Sequence, residues 1–196
     1  MTKDAVKILE NRVLSDQFYV LRRFTFEREE RDGERVMQVR EVYDRGNGAA
    51  ILLYNRADQM VILTRQFRMP TFVNGNPTGM LIECCAGLLD RDNAEEAIRR
   101  ETEEETGYKI GAVEKVLEVY MSPGSVTEIL YLFVAEYTRE MKVSDGGGLE
   151  HECEDIEVLE IPYGRALEMV RTGEIRDGKT ILLLHYAELN RLMMSD

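Results

Sequence analysis

The stretch 86–108, AGLLDRDNAEEAIRRETEEETGY, constrains the fold most, because it marks both ends of a helix and loads that helix with charge. Asn93 stands where an N-cap belongs, and Glu96, three residues on, completes a capping box. Gly107 supplies the left-handed residue that closes a helix. The spacing predicts a helix over 94–106, with Ala97, Ile98 and Thr102 on one face toward a core. Six glutamates lie within it. Glu101 and Glu105 share a face one turn apart, and Glu104 extends that acidic surface toward the negative end of the helix dipole. Each like-charged pair one turn apart destabilises a helix by ~0.2–0.5 kcal/mol. A solvated acidic face, with Arg99 and Arg100 pairing with their neighbours, is the commoner outcome of such a pattern. The other outcome is a cation among the acids. Mg2+ or Mn2+ would suit, since hard divalent ions take carboxylate oxygens together with phosphate oxygens and water.

Around this helix the pattern changes period. QFYVLRRFTFERE and RVMQVREVYDR alternate apolar and polar residues about the turn signal RDGE, so the first 45 or so residues read as strands. AAILLYN and QMVILTRQFR follow as a hairpin, then GMLIECCAG, and after the helix GAVEKVLEVYMSPG and VTEILYLFVAEYT. Tyr120 and Met121 read as core residues leading into a turn. Two amphipathic helices close the chain, near YGRALEMVRTG, with Gly173 as C-cap, and near GKTILLLHYAELNRLMM. Strands, helix, strands, helices make an α+β domain with a mixed sheet.

With 37 acidic against 25 basic residues, the net charge is −12. That surface is unsuited to nucleic acid, whose binding depends on cations. No apolar run approaches the ~20 residues that span a bilayer. The opening MTKDAVKILENRVLSD has no apolar signal-peptide region. Cys84, Cys85 and Cys153 lack zinc-ligand spacing and read as thiols of a reducing, cytoplasmic compartment, the adjacent pair as small buried hydrophobes. His151 and His185 are isolated, and His185 reads as a structural helix residue.

The loop KVSDGGGLEHECED gathers Glu150, Glu152, Glu154 and Asp155 after three glycines. It is either a solvated acidic loop or a functional one. RQFR places Arg65 and Arg68 at a strand end, either to grip an anion or in surface salt bridges. REVYDRGNGAA supplies Arg40, Glu41 and Arg45.

From Gly87, twelve residues and then Arg100-Glu101-Thr102-x-Glu104-Glu105-x-Gly107-Tyr108 resemble the Nudix box. The match departs in its first half: it is one residue short, and Asp92 or Asn93 stands where the family has its first Glu. Thr102 replaces an aliphatic residue. The resemblance implies a Nudix fold, a mixed β-sheet sandwiched between helices, preceded by an N-terminal antiparallel strand region. It implies divalent cations, Mg2+ or Mn2+, held by Glu101, Glu105 and the Ala86 carbonyl. Glu154, with Glu152 as second choice, would complete the metal site or act as base. REVYDRGNGAAILLYN, RQFR, FVNGN, LIECCAGLLD, YMSPGSVTE, GGGLEHECEDIEVLE and GEIRDGKTILLL extend the likeness to the GDP-mannose pyrophosphatase branch. That branch implies a homodimer that exchanges residues 1–45, a Nudix domain over 46–196, and a nucleotide-sugar substrate with no nucleic acid or membrane partner. Phe18, Arg40, Glu41, Arg68, Glu128 and Lys179 would contact substrate, with Phe18 where the branch has a tyrosine. Read without the likeness, Glu128 is as readily an outward-pointing strand residue. The same metal residues also suit ADP-ribose hydrolysis, and the altered box also allows an inactive binding module.

Overall fold

Residues 5–89, 93–149 and 154–194 are described in a computed structural model. The chain forms two compact units. One holds the chain up to Asn47 together with Tyr120–Ile129, the other Gly48–Val119 together with the chain from Leu130 onward.

The first unit is an antiparallel sheet of β1 (Val6–Asp16), β2 (Val20–Glu29) and β3 (Arg35–Asp44), in that order. Asp32-Gly33 makes the turn between β2 and β3, with Gly33 at φ 87°. The Glu30 and Glu34 backbones bond across it at 2.8 Å. The segment 120–129 joins this unit through long-range bonds that no local pattern announces. Tyr43 N donates to Ser125 O, Thr127 N donates back to Tyr43 O, and Asn47 Oδ1 accepts from Ile129 N. Tyr120 and Met121, expected in a core, are instead exposed. The chain leaves the sheet at Val119, so no strand neighbour covers them.

In the second unit the sheet runs β10 (Glu157–Pro162), β5 (Met60–Phe67), β4 (Gly48–Asn55), β9 (Leu130–Glu136), β8 (Glu114–Val119). β4 and β9 are parallel and their other neighbours antiparallel, which makes the sheet mixed. Every residue of β4 is buried, because helices cover both faces. Ala50, Leu52 and Tyr54 pack with α3 (Tyr163–Thr172) and α4 (Gly178–Leu189). Ala49, Ile51 and Leu53 pack on the opposite face with Ile98 of α2 (Ala94–Thr106). Period-two alternation thus splits one strand between two cores. Gly173, at φ 79°, ends α3 as expected.

The site is positioned by a fork in this sheet. β4 and β5 pair only over Leu53–Asn55 with Met60–Ile62. Beyond that, β6 (Met80–Glu83) runs beside β5 and β7 (Cys85–Leu88) beside β4. Between them, Cys84 enters one core and Cys85 the other. Both thiols are buried and pushed up by desolvation, Cys84 to about 12, so they behave as small hydrophobes. One hydroxyl helps to tie the fork to α4: Thr180 Oγ1 accepts from Cys84 N at 2.7 Å and donates to Asp177 Oδ2 at 2.6 Å. Asp177 in turn caps α4 by accepting from Thr180 N. Thr180→Val keeps the shape and orphans the Cys84 N–H. It is expected to destabilise the protein by about 1–3 kcal/mol. In urea denaturation the midpoint should fall while the slope stays unchanged.

Candidate active site

Helix α2 forms where the capping residues place it. Asn93 Oδ1 accepts from Glu96 N at 3.0 Å, and Gly107 closes the helix at φ 77°. Ala97, Ile98 and Thr102 are buried, as their spacing predicts. Thr102 sits comfortably in an apolar position because its hydroxyl donates back to Ile98 O at 2.6 Å. Most outer acids are neutralised. Arg99 pairs with Glu95 at 3.2 Å, Arg100 bridges Glu101 and Glu104, and Lys109 meets Glu103 at 3.5 Å.

Glu105 differs. It is 2% exposed, and its Oε2 has no hydrogen-bond partner among the described residues. Burial pushes its carboxyl up to about 8, with repulsion from Glu154 and Glu101 adding to the shift and a hydrogen bond with Cys85 opposing it. Glu101 is pushed up to about 6, first by burial, then by Glu104. Its side chain lies over Gly87, where a Cβ would come 2.6 Å from Oε1 and closer still to the carbons. Gly87 therefore leaves the room Glu101 occupies. Ala86, beside it on β7, pairs with Ala50.

The three glycines bring Glu154 to this cluster. Gly146, Gly147 and Gly148 all have positive φ. Gly147 N and Gly148 N donate to Glu105 O and Glu104 O at 2.9 and 3.1 Å, satisfying carbonyls that the end of α2 leaves open. A Cβ on Gly146 would lie 2.5 Å from Glu105 O, and one on Gly148 2.5 Å from Glu154 Oε2. Glu154 Oε2 accepts from Leu149 N at 3.1 Å. Glu101, Glu105 and Glu154 thus repel one another across the helix and the loop. Among the described residues, no three acids, histidines or cysteines are drawn tightly enough to form a finished metal cage. The buried, unpartnered oxygen and the mutual repulsion of these acids suit a cation as counter-charge. Glu152, His151, Cys153 and Asp92 lie outside the described residues.

Arg68 and Lys179 meet on a carboxylate that the sequence reading passed over. Glu83, 3% exposed, accepts from Arg68 Nε at 2.7 Å and from Lys179 Nζ at 2.5 Å. Lys179 also donates to Asp177 at 3.0 Å. Burial disfavours charge on both cations, and the carboxylates more than offset it, raising both pKa values. Arg68 also lies within the field of Glu105. A signal was present in MLIECC: a carboxylate in an apolar strand requires a buried cation. Arg65 takes the ordinary salt-bridge reading, pairing with Glu157 across β5 and β10. His185 is exposed on α4.

The remaining expected substrate residues belong to the first unit. Phe18 is 85% exposed, its ring edge-on to Tyr19. Arg40, on β3, donates to Val39 O and Gln38 Oε1. Glu41 pairs in register with Arg23. Glu128 is part-buried and meets Arg45 at 3.5 Å.

A NUDIX domain model matches residues 44–181. The chain belongs to the Nudix family. A model of the GDP-mannose pyrophosphatase NudK N-terminal domain matches residues 5–43 of this Nudix hydrolase. It is 56% identical to a GDP-mannose pyrophosphatase of Salmonella typhimurium strain LT2 over 188 residues, 96% of this chain and 97% of that protein. Over the same lengths it is 55% identical to a GDP-mannose pyrophosphatase of Enterobacter sp. strain 638 and 54% to one of Shigella flexneri serotype 5b. A crystal structure of an ADP compounds hydrolase shares the Nudix fold, with a TM-score of 0.69 at 18% identity over 96% of this chain and 95% of that one.

The raised Glu105 sets a pH dependence. Its folded pKa lies above the unfolded value of 4.5, so the folded state holds the proton more tightly. That contribution to stability is fully present below 4.5 and is lost as pH rises through about 8. With metal chelated, Tm is expected to fall between about pH 6 and 8. Glu105→Gln should remove most of that fall, as read by thermal unfolding in EDTA. A second test targets Gly87: Gly87→Ala should displace Glu101 and cut turnover while Tm in EDTA stays close to wild type.

Proposed function

We propose that this Nudix hydrolase cleaves the pyrophosphate of a nucleotide sugar and that GDP-mannose is its substrate. Water adds to one phosphorus of the diphosphate and the bridging P–O bond breaks, giving GMP and mannose 1-phosphate. The observation that carries the chemistry is the buried, unpartnered Glu105 oxygen within an acid cluster that Arg68 approaches. GDP-mannose is favoured because relatives bearing that activity in their names are 54–56% identical across nearly the whole chain.

Glu101, Glu105, Glu154 and the Ala86 carbonyl would hold Mg2+, or Mn2+ in its place. Bound there, the cation would lower the pKa of the attacking water and screen the phosphate charge. Glu154 is the first choice of base, because its loop delivers it to the acids of α2. Arg68 and Lys179 would take the diphosphate, and Glu128 would position water or substrate. Phe18 keeps a ring for stacking on the base but no hydroxyl. Arg40 and Glu41 would reach the substrate from the partner subunit of a homodimer with exchanged N-terminal strands. The apolar side chains on β1 support that association: Val6, Ile8, Leu9, Val13 and Leu14 are all at least 40% exposed. No helix among the described residues is long and apolar enough to cross a membrane. The unpaired, buried Cys84 and Cys85 suit the cytoplasm.

The test is hydrolysis by the purified protein with Mg2+, comparing kcat/KM for GDP-mannose, GDP-glucose, ADP-ribose and a nucleoside triphosphate, with EDTA as control. GDP-mannose is expected to lead, with GMP and mannose 1-phosphate as products and no turnover in EDTA. ADP-ribose leading would overturn the sugar assignment and keep the chemistry. No turnover of any of them would overturn both. Glu101→Gln and Glu105→Gln should each lower kcat by orders of magnitude with the fold intact, and Glu154→Gln should impair turnover more than Glu152→Gln.

A further inference from the structure

Two cations meeting on one buried carboxylate need an explanation. Glu83 ends β6 at the fork of the sheet, and among the described residues both of its carboxylate oxygens accept from side chains. One takes Arg68 Nε and the other Lys179 Nζ. Lys179 is shared with Asp177, itself fastened by capping α4. Arg68 is held at its backbone as well: its N–H donates to Gly79 O at 2.8 Å and its carbonyl accepts from Thr71 N at 3.0 Å. Two cations and two carboxylates leave the group neutral, which makes its burial tolerable. The hydrogen bonds to Glu83 and Asp177 leave donors unused. Arg68 keeps both Nη groups without a hydrogen-bond partner among the described residues, and Lys179 keeps one of its three N–H bonds. Charge balance alone would be met by pairing Arg68 with Glu83 and Lys179 with Asp177, yet both cations bond Glu83. Here the carboxylate fixes the angle and spacing between two cations, and Arg68 lies in the field of Glu105.

We propose that Glu83 is a positioning residue. It holds Arg68 and Lys179 side by side as a preformed two-pronged clamp, whose unused N–H donors take the phosphate oxygens of the substrate diphosphate. The clamp is set before substrate arrives, so binding spends little on ordering two long side chains. The inference rests on the pyrophosphatase reading for the identity of its ligand.

The test uses the full chain with Mg2+ and two probes, inorganic pyrophosphate binding by calorimetry and GDP-mannose hydrolysis. Glu83→Gln keeps the shape and turns an amide N–H2 toward one cation. Its Kd for pyrophosphate and KM for GDP-mannose are expected to rise about tenfold or more while kcat changes less than about threefold, the split of lost ground-state positioning. Mn2+ affinity without substrate should not change. A Kd within about twofold of wild type, or a fall in kcat at constant KM, overturns the proposal. Adding Glu83→Gln to Arg68→Met/Lys179→Met should weaken pyrophosphate binding no further, because Glu83 acts only through those cations. That comparison carries the test if the single variant fails to fold, and a further tenfold loss in the triple variant overturns it. If wild type does not hydrolyse GDP-mannose yet Glu83→Gln still loses pyrophosphate, the substrate assignment fails and the clamp stands.

Discussion

The catalytic unit depends on a carboxylate that the fold buries with one oxygen lacking a hydrogen-bond partner among the described residues. An isolated charge moved into a protein interior takes up a proton or a counter-ion. Glu105 faces that choice with Glu101 and Glu154 close by, each making its ionisation harder. Hydrophobic packing fixes its position: Ala97, Ile98 and Thr102 bury one face of α2, and one turn further on Glu105 is carried inside with them. The fold thus stabilises an arrangement that is electrostatically poor alone and favourable around a divalent ion. That trade between local strain and function is expected at active sites.

Two backbone devices serve this cluster. The fork between β4 and β5 lets β6 and β7 enter the middle of the sheet, and this brings Gly87, with Ala86 next to it on β7, against Glu101 of α2. The glycine loop caps the far end of the same helix and delivers Glu154. Both devices rely on missing side chains, at Gly87 for Glu101 and at Gly146 and Gly148 for the loop. On the other side of the fork, Glu83 gathers Arg68 and Lys179, so the acids of α2 and its loop and these two cations belong to one unit.

Much of this was legible in the chain. The bounds of α2 agree with its capping residues because caps and the left-handed glycine are local, and α3 follows from apolar spacing, whereas α4, expected to be amphipathic, carries apolar residues nearly all round, with Leu182 and Leu189 exposed. The box glutamates were legible through the family likeness, while burial alone separates Glu105 from the paired Glu95 and Glu103. Three features escaped. The fork depends on strand pairing across distant segments. The meeting of Glu83 with Lys179 joins residues 96 positions apart. Residues 120–129 pair with β3, so Tyr120 and Met121 read as core by composition and are exposed by topology.

The most direct measurement is an Mn2+ titration of the intact protein followed by EPR at pH 6 and pH 8, with released protons counted calorimetrically. If Glu105 and Glu101 must surrender protons to the cation, Mn2+ should bind more tightly at pH 8, release protons at pH 6, and bind far more weakly to Glu105→Gln. Equal affinity at both pH values, unchanged by Glu105→Gln, would contradict the assignment of this buried carboxylate as the heart of the metal site.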